Sequence, residues 1–243
     1  MRHSRSLVSF AAILIYVMSA GIDAAGNDIE YTSLSQGTFN SLNDELATMV
    51  AYNPLAPAEP LGITGFDLGL SVSSYKIDDA VWNQAVRDGS APSRLSLTRV
   101  MARKGLPFGI DIGASYGKAM DSNVSAVGGE VRKALLEGST LTPAVSVSGH
   151  YSKLLGVDDL DLAAYGLDLG ISKGFALLTP YAGVGQLWYD GHDRTSLNLR
   201  DRSSSQTHGY FGMRLGLLPF MGVTAQADFS EINSYSLRLD LGF

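Results

Sequence analysis

The carboxyl-terminal end of the chain constrains the fold more than any other stretch of the sequence. From Ser234 to Phe243, apolar residues alternate without a break with residues that are polar or small. The apolar positions are Tyr235, Leu237, Leu239, Leu241 and Phe243. This period of two indicates a β-strand with two different faces. Such a strand is prone to aggregate unless both of its edges are paired, so we expect a closed barrel that this strand completes.

The same five apolar positions resemble the carboxyl-terminal strand of bacterial outer-membrane β-barrel proteins. In that family, the terminal aromatic residue and the alternate apolar residues before it form a signal that the barrel assembly machinery reads. The resemblance implies that this machinery and outer-membrane lipid are partners of the chain. It also implies that the protein is located in the bacterial outer membrane.

The start of the chain has the pattern of a secretory signal peptide. Arg2 and Arg5 precede an apolar run over residues 7–22, and the small residues Ala24 and Ala25 follow it. The run is shorter than the ~20 residues that a membrane-spanning helix needs, which argues against a membrane anchor. We therefore predict that residues 1–25 are a signal peptide that is cleaved on secretion.

The charge balance and the lack of known motifs narrow the classes of ligand. The sequence has 18 lysines and arginines against 24 aspartates and glutamates, a net charge of −6. An acidic chain has no electrostatic attraction to a phosphate backbone. The sequence contains no phosphate-binding loop and no zinc-ligand spacing. We therefore predict no nucleic-acid partner, no cofactor and no metal.

Residues 26–60 form a separate amino-terminal segment in this interpretation. The stretch from Asn40 to Glu45 has the residues of a helix start, with Ser41 as the expected cap. Asn53 and Pro54 then end the helix. A helix followed by Tyr-Asn-Pro just before the first strand resembles the start of fatty-acid-transporter-type barrels. The resemblance implies a plug in the lumen and a transporter of small apolar compounds, and the alternative is a short periplasmic arm.

About ten segments with β-strand alternation follow from Gly62 onward. Tight connections begin near Lys104, Glu137, Lys173 and Leu218, and mostly long polar ones begin near Lys76, Met120, Lys153 and Asp190. We predict an all-β fold, a closed antiparallel up-and-down transmembrane β-barrel of about ten strands over residues 61–243. Both ends of the mature chain are expected on the side of the short turns. A change of parity between Ser93 and Arg103 predicts a bulge near Arg99, and the longest late loop is expected over residues 190–208.

The two faces of these strands differ in chemistry. Charged residues fall at the same alternate strand positions as glycine and serine, on the face opposite the apolar residues. This pattern favours a barrel with a crowded polar lumen and an apolar face toward lipid. Aromatic residues such as Tyr116 and Tyr235 fall near one end of the outward face, and Phe66 and Phe108 near the other, as in two membrane-interface belts. A soluble ligand-binding barrel is the alternative, and it would turn the apolar face inward.

The inward face carries nine charged residues that we expect to form a network. They are Asp67, Asp111, Glu130, Arg132, Asp168, Arg214, Asp228, Arg238 and Asp240. Buried charges are tolerated when they are paired, so one interpretation is an ionic network that fills and rigidifies the lumen. The other is a narrow pore that prefers cations, because acids outnumber bases in this set.

An enzyme is the remaining alternative. Asp78 and Asp79 open the first long loop, and the Asp190-Gly-His192-Asp193 stretch opens the longest late loop. Carboxylates and a histidine across a barrel mouth could activate water. This Asp-x-His with paired aspartates resembles the omptin outer-membrane proteases, which would place the site at the external mouth. Loop residues in contact with solvent explain the same pattern, and we predict a protein without catalytic residues.

Overall fold

The structure is a computed structural model, and it describes residues 28 to 242. The predicted signal peptide and the terminal Phe243 lie outside the described residues. These residues contain two α-helices, α1 (Gln36–Val50) and α2 (Asp79–Ala85), and a short 3-10 helix, Pro107–Gly109. The strands are β1 (Phe66–Lys76), β2 (Arg94–Leu106), β3 (Ile110–Ala119), β4 (Ser125–Glu137), β5 (Ala144–Leu155), β6 (Leu160–Ser172), β7 (Leu178–Asp193), β8 (Arg202–Leu218), β9 (Met221–Phe229) and β10 (Ser234–Gly242).

The ten strands form one closed antiparallel barrel in sequence order, and β1 pairs with β10 to close it. The register at the closure places Leu70 opposite Leu239, and it continues without a break from Asp67 to Tyr75. The predicted closed, up-and-down ten-stranded barrel is confirmed. No helix in the described part of the chain is long and apolar enough to cross a membrane, and this finding concerns helices alone.

Burial alternates along the strands and places the apolar side chains of the strand interiors outward. Leu167, Tyr235 and Leu237 are 55%, 60% and 58% exposed, whereas their strand neighbours Asp168 and Arg238 are buried. The alternative of a soluble barrel with its apolar face inward is therefore wrong for these strands. An exposed apolar surface that runs around the barrel is the surface that lipid covers in a membrane barrel.

The connections fall into two sets at opposite ends of the barrel. The end that holds residues 107–109, 138–143, 173–177 and 219–220 is called the turn end, and the opposite end, with residues 77–93, 120–124, 156–159, 194–201 and 230–233, is the loop end. The loop expected over residues 190–208 is shorter, because Gly191 pairs with Arg202. From this pair, the pairing of β7 with β8 continues toward the turn end. The polar composition of this stretch reflects strands that extend beyond the apolar surface, not a loss of pairing.

Strand β2 is regular, and the predicted bulge near Arg99 is wrong. Its register with β1 and β3 is unbroken, with Arg99 opposite Ser71 and Gly117. The pairing shifts instead between Ala134 and Leu136 and between Gly216 and Leu218. The change of parity in the sequence does not mark a bulge, because Leu95 and Leu97 point inward and pack in an apolar core inside the barrel.

The amino-terminal segment lies inside this barrel. Helix α1 begins earlier than the Ser41 cap predicted, because the Ser35 side chain caps it by accepting a hydrogen bond from the Thr38 amide at 3.1 Å. The prediction that both chain ends lie at the turn end is also wrong for the described start of the chain. Ile29 forms a β-bridge with Val86 in the β1–β2 loop, at the loop end.

Candidate functional site

The lumen is occupied from end to end by residues 36–65, which we call the plug. Its first half is α1, at the loop end, and its second half is an extended stretch that leads to β1 at the turn end. The fully buried residues of α1 include Phe39, Leu42, Leu46 and Met49. They share one apolar core with inward side chains of the barrel wall, among them Leu95, Leu97, Leu162 and Leu187. Burial of this helix face is the main apolar contribution to plug binding.

Polar contacts fix α1 in one orientation within this core. Arg202 donates two hydrogen bonds to the carboxylate of Asp44, each of 2.9 Å. Tyr189 donates to the same carboxylate at 2.6 Å. Gln206 donates to the Thr48 hydroxyl at 2.7 Å. Two of these three partners lie on β8 and the third on β7, so one side of the barrel holds the helix by polar groups.

The side chain of Asn43, on α1, lies against the barrel wall at Gly191 of β7. A Cβ atom added at Gly191 would lie 1.7 Å from the Asn43 side-chain oxygen. Only a residue without a side chain lets β7 and α1 approach so closely.

Glu45 joins α1 to the β1–β2 loop. The Trp82 indole donates to its carboxylate at 2.7 Å, and the Asp78 amide lies 3.3 Å from both carboxylate oxygens. Burial raises the pKa of Glu45, and the two hydrogen bonds oppose this shift. Trp82 itself is 1% exposed. The first long loop is therefore folded onto the plug by its short helix α2.

The extended half of the plug is held by charged side chains of the wall. Arg99 donates to the carbonyls of Met49 and Ala51 at 3.0 and 3.1 Å, where α1 ends. A cation at this position satisfies carbonyls that have no partner in the helix and suits the negative end of the helix dipole. Arg238 donates to the Leu55 carbonyl at 3.4 Å.

The wall contacts continue to the turn end. Arg132 donates to the Pro57 carbonyl at 2.9 Å, and the Ala58 amide donates to the Ser172 hydroxyl at 3.0 Å. The Leu61 amide then donates to Asp111 at 3.1 Å. Backbone groups that are buried outside a helix or sheet need such partners. Side chains of the wall supply these partners, so the polar inward face of the barrel holds the plug in place.

The wall charges also pair with one another, in two clusters. Near the barrel closure, Arg238 forms an ion pair with Asp67, and Arg214 pairs with Asp240 at 2.6 Å. Gly69 makes room for Arg238, since a Cβ there would lie 2.2 Å from its Nε atom.

The second cluster lies on β2, β3 and β4. Arg103 lies 3.6 Å from Asp111 and 3.5 Å from Glu130, and Arg132 lies 3.5 Å from the other oxygen of Glu130. Glu130 is thus shared by two arginines. Its side chain is 1% exposed, so the charge is buried but compensated.

Asp168 and Asp228 have different partners. His150 and His208 approach the two oxygens of Asp168 at 3.0 and 2.6 Å. Asp228 accepts hydrogen bonds from Asn53 of the plug at 3.0 Å, and from Gln226 and Ser234 of the wall at 2.6 and 3.1 Å. A cavity of about 50 Å³ borders both carboxylates. This space suits a few water-sized molecules.

The structure places all nine predicted network residues on the inward side, and it adds four that the sequence analysis did not include. Arg99 and Arg103 were excluded by the supposed bulge, although the alternation Leu95, Leu97, Arg99, Met101, Arg103 was present in the sequence. The sequence pattern places His208 in a loop and predicts no charged partner for His150. With these residues included, six carboxylates face five arginines and two histidines, and Arg202, which binds Asp44 of the plug, is a sixth inward arginine of the wall. The excess of acids over arginines on the wall, the premise of cation preference, is therefore lost in this set of residues.

Three of the residues considered for catalysis have structural partners. Asp78 caps α2 by accepting a hydrogen bond from the Ala80 amide at 2.9 Å. His192 lies 3.0 Å from Asp201, and both side chains are more than half exposed. Asp193 accepts hydrogen bonds from Thr195 within its own loop. Among the described residues, no group of three histidine, aspartate or glutamate side chains is arranged to hold a metal ion.

Four residues of the predicted assembly signal lie on the outward parity of β10. Tyr235 and Leu237 are exposed, and Leu239 and Leu241 are half-buried. Their neighbours across the strand pair are apolar as well, with Leu239 between Leu70 and Val223. The outward side of β10 is thus continuous with the apolar surface of the barrel.

Comparisons with known proteins give likeness of fold only. No protein-family model and no curated protein matches the chain. The amino-terminal β-barrel domain of Pseudomonas aeruginosa OprF is similar at 11% sequence identity and a TM-score of 0.38, over 75% of this chain and 99% of that chain. The KdgM porin is similar at 9% identity and a TM-score of 0.37, over 73% and 99%. Neisserial surface protein A is similar at 10% identity and a TM-score of 0.35, over 74% and 96%. Similarity at this level carries no argument about function.

Proposed function

We propose that this protein is a bacterial outer-membrane barrel whose lumen is sealed by its own amino-terminal segment. In this proposal it acts as a structural membrane barrel with no open channel in its resting state. No reaction is assigned to it. The observation that carries the proposal is the series of hydrogen bonds between the wall and the plug. They reach Asp44, Met49, Leu55, Pro57 and Leu61 along the length of the plug.

The surface of the barrel supports a position in a membrane. Most outward residues at mid-strand are apolar, and aromatic side chains lie near both ends of the strands. Near the loop end these include Tyr116, Tyr151, Tyr165, Phe229 and Tyr235, and near the turn end Phe108, Phe175 and Phe220. Aromatic girdles on both sides of an apolar band are typical of outer-membrane barrels. The outer membrane is favoured by the closing strand and by the predicted signal peptide.

A narrow pore is the competing function. A channel needs a continuous path for water and ions, and two cavities between the plug and the wall have volumes of only about 50 and 10 Å³. A barrel of about eight strands is already filled by its own side chains. Conduction through this barrel would therefore require the plug to move. The near balance of acids and arginines offers little preference for cations over anions.

Single-channel recording on refolded mature protein in a planar bilayer tests the proposal. A sealed lumen gives an inserted barrel without steady conductance steps in symmetric salt. Insertion is checked separately by protection of the strands from added protease. Steady, salt-dependent steps from the unmodified protein would contradict sealing.

A disulfide between plug and wall shows whether any conduction depends on plug movement. The chain has no cysteine of its own, so Asn43→Cys with Gly191→Cys gives a single pair. A Cβ at residue 191 lies 2.7 Å from the Asn43 Cγ position, and in a disulfide each sulfur lies about 3 Å from the partner Cβ. Steps that vanish on oxidation and return on reduction would identify a plug that opens. Steps that survive oxidation would mean that the closed plug does not seal the lumen.

A further inference from the structure

The described chain begins on the surface of the loop end, ahead of the plug. Residues 28–35, which we call the strap, lie across the barrel mouth and contact the loops that surround it. The Ile29 amide donates to the Asn123 side chain at 2.9 Å, and the Asn123 amide group donates back to the Ile29 carbonyl at 3.0 Å. On its other side, Ile29 bridges to Val86, and the Glu30 amide donates to the Ala85 carbonyl at 2.9 Å. The strap thus joins the β1–β2 and β3–β4 loops.

Tyr31 extends the strap to the other side of the mouth. Its amide donates to the Asp159 carboxylate at 3.0 Å, and its hydroxyl donates to the Asp159 carbonyl at 2.9 Å and lies 3.3 Å from Asp193. Burial and the two nearby aspartates raise the pKa of the Tyr31 hydroxyl. Gln36 follows and exchanges hydrogen bonds with the backbone of Arg200. Four loops are therefore connected through nine consecutive residues, 28–36.

The direction of the chain after the strap is fixed by the register of β1. Phe66, the first residue of β1, pairs with Lys104 beside the turn that joins β2 and β3. The Lys104 ammonium also donates to the carbonyls of Ile63 and Gly65, which lie just before β1, at 2.6 and 3.0 Å. The chain thus enters at the loop end, crosses the lumen once, and reaches the turn end before its first strand begins.

We propose that the amino-terminal segment is threaded through the barrel, so that the strap is displayed on the outer surface of the cell while β10 ends on the periplasmic side. This inference rests on the proposed function, which places the long loops outside. The segment adds one lumen crossing to the ten strands. We expect the segment to lie in the lumen when β1 and β10 pair, because the closed ring fits closely around it. The outer surface is then one unit, in which the strap and Gln36 at the start of the plug together connect four loops.

Labelling of single cysteines in intact cells tests the threading. Ser33→Cys lies in the strap, Ser196→Cys in the β7–β8 loop and Leu141→Cys in the β4–β5 turn, and all three positions are exposed. A membrane-impermeant maleimide is added to intact Gram-negative cells and to cells with a permeabilised outer membrane. Each variant is first checked for the shift in gel mobility between heated and unheated samples that a folded barrel gives. We expect residues 33 and 196 to be labelled in intact cells at similar levels, and residue 141 only after permeabilisation, with at least a tenfold difference.

The three positions separate the failure of the inference from that of the proposed function. Label at residue 196 but not at residue 33 in intact cells would overturn the threading and leave an outer-membrane barrel standing. Protection of residue 196 with label at residue 141 would reverse the orientation and overturn both. Protection of all three positions until permeabilisation would show that the loops do not reach the cell surface. A residue 33 that stays unreactive after permeabilisation would contradict an exposed strap.

Discussion

Charged side chains on the inner wall serve the plug backbone as well as one another. Arg238 forms an ion pair with Asp67 and also donates to the Leu55 carbonyl. Arg132 forms an ion pair with Glu130 and donates to the Pro57 carbonyl. A segment that crosses a lumen outside any sheet must find partners for its amides and carbonyls. Long side chains with several donors meet this need better than apolar ones, which explains why a filled lumen retains so many charges.

Arg238→Ala should be among the most destabilising single substitutions in the wall. The arginine side chain is fully buried and that of Asp67 is 9% exposed, so the change leaves a buried carboxylate without its partner. We expect a loss of about 3–5 kcal/mol in the free energy of unfolding, measured by urea titration of the protein in lipid vesicles. Asp67→Asn added to this variant should recover part of the loss, because it removes the uncompensated charge.

Lys153→Ala is the matched control for this prediction. Lys153 pairs with Asp161 at 3.1 Å, but the two side chains are 43% and 27% exposed. Solvent screens such a pair, so its removal should cost no more than about 1 kcal/mol. Equal losses from Arg238→Ala and Lys153→Ala would contradict a lumen in which the charges are buried and paired.

Glu45 should make stability depend on pH. Burial raises its pKa in the folded protein, so the folded state holds this proton more tightly than the unfolded state does. The contribution of Glu45 is complete below the ordinary glutamate pKa of about 4.3 and is lost as the pH rises through the raised value. Glu45→Gln keeps an acceptor for the Trp82 indole but cannot ionise. The variant should match the wild type at low pH and exceed its stability at neutral and higher pH.

The comparison is made by urea unfolding of both proteins across this range of pH. Trp82 fluorescence in a Trp188→Phe background reports on the site itself, since these are the two tryptophans of the chain. A constant difference between Glu45→Gln and the wild type at every pH would mean that Glu45 has the same pKa folded and unfolded.

Helix α1 depends on its amino-terminal cap. Ser35 accepts the Thr38 amide at 3.1 Å, and the first turn contains no acidic residue that could replace it. Ser35→Ala should therefore cost about 1 kcal/mol in the free energy of unfolding, with the larger part of the effect at the loop end. Ser33→Ala, two residues earlier and exposed, is the control and should be close to neutral. Equal effects of both changes would argue against capping.

The elements differ in how well the sequence predicts them. Lipid-facing positions must be apolar at every second residue, so strands such as β3 and β10 could be identified from alternation alone. The inward face obeys no such simple rule, because the plug makes it apolar near the loop end and charged near the turn end. Leu95 and Leu97 therefore suggested a bulge in β2, and Arg99 and Arg103 were missed. Most ion-pair partners could not be assigned, since they depend on the register between the wall strands, and the contacts with the plug depend on the path of residues 51–65 through the lumen.

At the scale of the whole molecule, the outward surface decides whether the barrel lies in a membrane. Leu167 is 55% exposed on β6, between Tyr165 and Leu169 on the same face. If lipid covers this face, an arginine at residue 167 has to sit near the middle of the apolar band. Leu167→Arg should then reduce the free energy of unfolding from vesicles by about 2–4 kcal/mol.

Leu141→Arg separates membrane burial from a general effect of replacing leucine. Leu141 is 90% exposed, but it lies in the turn between β4 and β5, where a barrel in a membrane meets water. A charge there should change stability little, both in vesicles and in detergent. Leu167→Arg should behave in the same way as Leu141→Arg if the outward face is exposed to water. A large loss at residue 167 with none at residue 141 is expected only when an apolar layer surrounds the middle of the barrel and ends below its turns.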